Sequence, residues 1–473
     1  MLYPRESETR RIRNLSGVWN FRIDEKNAGR REHWFEKPLH VPIPMPVPSS
    51  YNDITQDSDI RNHIGDAWYE TSFFVAQEWK QKKIMLRFGS VTHNAVVWIN
   101  GKEAMRHTGG FLPFEADVTD LVSFEKENRL TVCVDNILEM SSVPTGEIIN
   151  YDDPYHPEGD RRQDVFFDFF NYAGIHRPVQ LIALPRTHIT DIHVTTDIRG
   201  NDGIVRWNLE SSEPTDFRVT IRNKEGEEIA SGKGKSGELS IEDAEFWGPD
   251  NPYLYTFTAD AVSPEEDLLD RYRLFTGIRT VEIKDGKFLL NGKPFYFRGF
   301  GKHEDGNIRG RALDHPLMVK DFNLMKWTGA NSFRTSHYPY AEDVLDLADR
   351  EGFLVIDESP AVGMVIPDNR EKYNPEDFLD ERMKNHKQAM RELIHRDRNH
   401  PCVVIWGVSN EPDTHNEESV RYFREITTYT RELDSSRPLM FVDYRIAKDC
   451  QVGEFFDIMG VNRYDTWYVD CGR

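Results

Sequence analysis

Short runs of apolar and aromatic residues, broken by turn formers, fill the first part of the chain. Between residues 68 and 136 the stretches WYETSFFV, KIMLRF, AVVWI and RLTVCV each have the length and side-chain type of a strand. Asn100-Gly101 between two of them predicts a type I′ hairpin, because that turn needs positive φ at both central positions. No helical periodicity stands out before residue 184, so 1–184 reads as a jelly-roll β-sandwich. From 185 to 280 the strands become IVRWNLE, FRVTIRN and YLYTFTADAV, separated by charged or glycine-rich turns, which suits an immunoglobulin-like β-sandwich.

From 281 onwards the pattern changes. A hairpin, KFLL-NG-KPFYF, leads into strands that alternate with helices. Met318, Phe322 and Met325 stand at i, i+4 and i+7, with Asp314 as a cap and Gly329 as a stop. A second helix is expected from Pro375, capped by Asn374 and carrying Leu379, Met383, Met390 and Ile394, and a third carries Tyr422, Ile426, Tyr429 and Leu433. The strands FYFRGF, NSFRTS, FLVIDE, VVIWGV, LMFVDY and DIMGVN are apolar runs, as parallel strands covered on both faces require. Each is followed by polar residues: His303, Glu304 and Asp305; His337; Glu358; Asn410 and Glu411; Asn462 and Tyr464. In a (β/α)8 TIM barrel these strand ends form the active-site rim. At roughly 31 residues per unit, 281–473 supplies about six βα units of the eight.

Charge narrows the partners. The formal net charge of −21 argues against nucleic acid or an anionic membrane as the main partner. Cys133, Cys402, Cys450 and Cys471 are too scattered for a disulfide framework or a zinc site, and neither a leader nor a membrane-spanning run is read in the text, so a cytoplasmic protein is expected. His386, His395 and His400 lack the i, i+4 spacing of metal ligands and read as solvated or capping residues. The Gly-x-Gly of GFGKHEDG opens no apolar helix, so no dinucleotide site is expected, and the RRIR and DRR clusters read as solvated charge.

Glu411, at the end of an apolar strand and beside Asn410, has the setting of a glycosidase acid, which works with a second carboxylate across the sugar bond. Three segments then carry a clear resemblance to glycoside hydrolase family two: NYAGIHRPV (171–179), RTSHYPYAEDVLDLADREGFLVIDE (334–358) and WGVSNEP (406–412). Within it, DFFNYAGIHR, GFGKHED and NRYDTWY resemble the β-glucuronidases rather than the galactosidases or mannosidases. The resemblance implies a retaining hydrolase of β-D-glucuronides, without cofactor or metal, and admits a homo-oligomer. It makes Glu411 the acid/base with Asn410 beside it, and Asp168 and His337 contacts to the sugar. Asn462, Tyr464 and Tyr468 would line the pocket near the sugar carboxylate.

The family's nucleophile glutamate follows a seventh strand, and its Asn-x-Lys pair comes later. Neither has a counterpart up to residue 473, so the nucleophile is expected to be absent from this chain and the chain alone inactive. Glu358 and Glu304 read as orienting residues rather than substitutes. A non-catalytic carbohydrate-binding protein and the N-terminal half of a split glycosidase remain as alternatives, with a galactosidase-like specificity behind them.

Overall fold

The computed structural model describes residues 1–467 except 158, 368 and 445–448. Tyr468 and Cys471, singled out above, lie outside the described residues.

The first sandwich packs a four-stranded sheet against a six-stranded one. The smaller runs in the order Arg11–Asn14, Val179–Leu184, Lys83–Phe88 and Phe114–Asp117. The larger is centred on Asp66–Phe73, Asn128–Asp135 and Asn94–Ile99. Trp19, Phe21, Tyr69, Phe88, Val97 and Val132 fill the space between them. Asn100 and Gly101 have φ of 54° and 80°, the two positive values that the hairpin required. Short helical turns interrupt the strands at Ser58–Arg61 and, as 3-10 turns, at Trp34–Glu36 and Gln77–Trp79. A separate hairpin, Gly146–Asn150 paired with Arg161–Val165, projects towards the barrel and leads into the segment that carries Asp168. The second sandwich closes a three-stranded sheet on a four-stranded one around Trp207, Phe217, Phe257 and Tyr272.

The third unit is a curled parallel sheet of six strands in sequential order: β1 (Gly299–Lys302), β2 (Ser332–Thr335), β3 (Leu354–Glu358), β4 (Val403–Asn410), β5 (Leu439–Asp443) and β6 (Ile458–Val461). Helices α1 (His315–Trp327), α2 (Glu342–Glu351), α3 (Leu379–Asp397) and α4 (Glu417–Leu433) cover it. The Asp314 side chain accepts the Leu317 N–H at 3.0 Å as the cap of α1, and Gly329 leaves the helix with φ 79°. Asn374 caps only a 3-10 turn, Pro375–Asp377; α3 begins at Leu379. The sequence reading missed α2, whose buried stripe is Val344, Leu345 and Ala348.

Two strands differ from their expected limits. β1 begins at Gly299, four residues after the start of FYFRGF, and its first three residues are exposed because it is an edge of the sheet. β4 runs on through Ser409 and Asn410, all eight residues buried, since the Ser409 hydroxyl and the Asn410 N–H both donate to the Ala361 carbonyl, at 2.7 and 3.0 Å.

Buried arginines lock the three units together. Arg87 of the first sandwich reaches Glu342 of α2 at 2.7 Å, and Arg177 donates to the Pro339 carbonyl at 2.7 Å. Arg279 of the second sandwich donates to the carbonyls of Pro401 and Val403 at 3.1 and 2.8 Å, just where β4 begins. The expectation that RRIR is all solvated charge fails at Arg10, which is buried against Asp270 at 2.5 Å. Arg161 and Arg162 of DRR are exposed, as expected. Among the described residues, no helix is long and apolar enough to cross a membrane.

Candidate active site

The chain turns sharply where β4 ends. Asn410 still belongs to the strand, but Glu411 takes φ 49°, a left-handed conformation that costs a residue with a Cβ about 1 kcal/mol. The Glu411 N–H is held by the Val442 carbonyl of β5 at 2.7 Å, so the turn swings its side chain over the end of the sheet. There the Glu411 Oε1 accepts hydrogen bonds from Asn462 Nδ2 at 2.5 Å and from the Tyr464 hydroxyl. Burial, then the hydrogen bond and charge of Glu411, push the Tyr464 phenol well above its ordinary pKa, which keeps it a donor. Both tethers take the same carboxylate oxygen, Oε1.

Asn410 is fixed from two sides. Its Oδ1 accepts from Arg334 Nη1 of β2 at 3.1 Å and from Asn462 Nδ2 at 3.3 Å, which turns its NH2 group the other way as a donor. Arg334 also meets Glu358 Oε1 at 3.0 Å, and His337 Nδ1 meets Glu358 Oε2 at 3.0 Å. Burial works to raise the Glu358 pKa, but Arg334 and His337 outweigh it and hold the carboxyl below the usual range. Glu358 is thus an ionised anchor with both oxygens engaged. Glu304 is engaged too, by Arg177 at 3.3 Å and the Ala341 N–H at 3.0 Å, and it steers the start of α2. Both carboxylates orient their neighbours, in line with the sequence reading.

The first sandwich reaches into this mouth. Phe169 packs on His303 and His337, with ring centroids 5.3 and 6.4 Å away. The neighbouring Asp168 is exposed, and its charge acts on both His303 and Tyr464. Gly363 makes the close approach feasible. It has φ 60°, and a Cβ there would lie 1.7 Å from the Phe166 carbonyl oxygen. Asp168, His337, Asn410, Glu411, Asn462 and Tyr464 therefore gather at one end of the sheet, although they span almost three hundred residues.

Models of glycosyl hydrolases family 2 match the chain along nearly its whole length: the sugar binding domain over residues 12–185, the central domain over 187–279 and the TIM barrel domain over 281–473. The chain belongs to glycosyl hydrolases family 2. Among its relatives in the family, a β-glucuronidase of Paenibacillus borealis is 49% identical over all of this chain and 80% of its own length. One of Rattus norvegicus is 43% identical, again over all of this chain and over 74% of its own. The family's solved structures agree. A β-glucuronidase from an uncultured Clostridium species superimposes with a TM-score of 0.92 at 46% identity, covering 100% of this chain and 80% of that one. The Ruminococcus gnavus β-glucuronidase in complex with D-glucuronic acid gives 0.92 at 39% identity, with 99% and 78% covered.

Sequence reasoning missed Arg334 and Phe169. Arg334 lies three residues before His337 inside a β2 run that reads as an apolar strand, and only its reach to β3 and β4 shows what it does. The reading of solvated or capping histidines fails at His386 and His400. His386 is fully buried, bonded to the Tyr422 hydroxyl and the Val408 carbonyl at 3.1 Å each, and burial lowers its pKa to about 4. Asp349, His400 and Cys402 bring one potential ligand atom each within 4.8 Å of one another. Hydrogen bonds engage them: Asp349 takes His400 Nδ1 at 2.6 Å and the Cys402 N–H at 2.9 Å, and the Cys402 thiol donates to the Leu345 carbonyl at 3.6 Å. The trio is a structural knot between α2 and β4.

Proposed function

We propose that this chain supplies the acid/base of a retaining β-glucuronidase site, with Glu411 protonating the departing glycosidic oxygen and then activating water. The observation that carries this reading is the fixing of Glu411 at the end of β4 by Asn462 and Tyr464, with Asn410 alongside. A retaining glycosidase needs one carboxyl that changes between acid and base, and a neighbouring donor to the sugar 2-hydroxyl whose bond strengthens in the transition state. Glu411 and the Asn410 NH2 group fit these two parts. Asp168 and His337 take sugar hydroxyls, and Tyr468 belongs beside the sugar carboxylate. The nucleophile is a carboxylate other than Glu358 and Glu304, because both of those are committed to arginine and to backbone or histidine partners. The parts divide as 1–184 for sugar contact, 185–280 as a spacer sandwich and 281–473 for catalysis. The glucuronide preference rests on the relatives and on the segments shared with them.

The test is Glu411→Gln in the full-length protein, assayed on aryl β-D-glucuronides that span good and poor leaving groups. Turnover should fall by about 10² or more for poor leaving groups and far less for activated ones, since only the former need full protonation. Equal losses across the series would remove Glu411 from the acid role.

A further inference from the structure

The loop between β1 and α1 is stitched to the first sandwich. The Ser50 N–H donates to the Arg309 carbonyl at 3.0 Å, the Arg311 N–H to the Ser50 hydroxyl at 3.1 Å and the Leu313 N–H to the His176 carbonyl at 3.0 Å. Gly310 is the closest point, with φ 58° and room for no Cβ beside Ser50 and Tyr172. The loop thereby sends the Arg311 side chain into the seam. It is 3% exposed, and neither terminal nitrogen has a hydrogen-bond partner among the described residues. Three rings surround it instead: Tyr338 at 4.6 Å, Phe111 at 4.7 Å and Phe169 at 5.6 Å from the guanidinium carbon.

Burying a cation without a salt bridge is expensive, and an apolar side chain of similar volume would serve packing alone better. Ring faces compensate in part through cation–π attraction, which grows when water is excluded. What Arg311 gains over an aliphatic residue is a defined angle for each ring. Two of those rings bear on the active site: Phe169 packs on His303 and His337, and the Tyr338 hydroxyl lies 3.3 Å from His303 Nδ1. We infer that Arg311 is a positioning residue for sugar binding, acting through Phe169 to fix where Asp168 of the first sandwich meets His303 and His337 of the barrel.

Electrostatics is consistent with this. The charged and titratable groups around Arg311 include Tyr338, Glu304, Asp305, Tyr172, His93, His176 and His303, and those around His303 include His337, Asp305, Arg311 and Asp168. Burial and then the nearby His337 lower the pKa of His303, with Arg311 acting in the same direction against the two aspartates. The inference rests on the proposed function for what is bound, but the position of the rings can be read without turnover.

The experiment compares Arg311→Met, Arg311→Lys, Phe169→Leu and the Arg311→Met/Phe169→Leu pair in the full-length protein. Arg311→Met should raise KM for an aryl β-glucuronide about tenfold with little change in kcat, and Arg311→Lys should recover part of it because the cation remains without its flat face. Phe169→Leu should give a similar rise, and the pair should be no worse than either alone. By NMR, with no substrate present, His303 should titrate at higher pH in Arg311→Met, and the Phe169 ring signals should shift. An unchanged KM in Arg311→Met, or additive effects in the pair, would overturn the inference. Should Arg311→Met fail to fold, the Arg311→Lys/Phe169→Leu cycle decides on the same criterion of additivity. A protein inactive on every glucuronide, with the His303 and Phe169 shifts as described, would count against the proposed function and for this role of Arg311.

Discussion

The knot at His400 makes a prediction whose size follows from its geometry. His400 Nδ1 lies 2.6 Å from Asp349 Oδ2 in a site where only 14% of the imidazole is exposed. The same carboxylate accepts the Cys402 N–H at 2.9 Å, and the Asp349 carbonyl takes the indole N–H of Trp247 from the second sandwich at 2.8 Å. Burial alone would favour the neutral ring, but the charge and hydrogen bond of Asp349 prevail and raise the His400 pKa to about 9. An imidazole in the unfolded chain titrates near 6.5, so the folded chain binds a proton that the unfolded one releases. The resulting stability is complete below about pH 6.5 and disappears as the pH rises through about 9. At about 1.4 kcal/mol per pH unit, it amounts to about 3 kcal/mol. His400→Gln keeps a donor to Asp349 but cannot titrate. Urea unfolding of parent and variant at intervals from pH 6 to 9.5 should show the parent losing about 3 kcal/mol more than the variant across that range. Parallel profiles, or a parent that gains on the variant as the pH rises, would refute the assignment of a charged, Asp349-bound His400.

Asp168→Ala should raise KM for aryl β-glucuronides about tenfold, as expected for one lost hydrogen bond to a sugar hydroxyl; unchanged kinetics would mean the first sandwich does not reach the substrate. Burial and then Asp397 hold the Asp357 carboxyl well above the usual carboxylate range, so stability falls as the pH rises from about 4 towards the folded value. Asp357→Asn should therefore gain on the parent more at pH 7 than at pH 4, and chemical denaturation showing the same difference at both would sink this. Gly363→Ala should cost about 2 kcal/mol or more, since the new Cβ meets the Phe166 carbonyl from a left-handed backbone; a melting temperature equal to the parent's would show that the seam yields.

The local code of this chain is strong wherever one residue's backbone preference decides the outcome. Asn-Gly pairs at 100–101 and 291–292 require positive φ and obtain it, Asp314 caps α1, and the apolar runs from Ser332 to Val461 became parallel strands in chain order. Because each barrel strand delivers its last polar residues to the same end, the sequence also placed Asn410, Glu411, Asn462 and Tyr464 together before their contacts were known. What it could not specify was pairing between residues far apart in the chain. Arg10 sits in a charged cluster that looks solvated, yet its carboxylate, Asp270, arrives from 260 residues away. His386 has a polar helical neighbourhood in sequence, and only the packing of α3 against β4 and α4 encloses it. The role of Arg334 depends on Glu358 and Asn410 ending adjacent strands, and that of Phe169 on the seam that Gly363 and Arg311 shape. Burial and charge partners are properties of the assembled layers, so residues whose chemistry depends on them acquire it only when the sandwiches and the barrel come together.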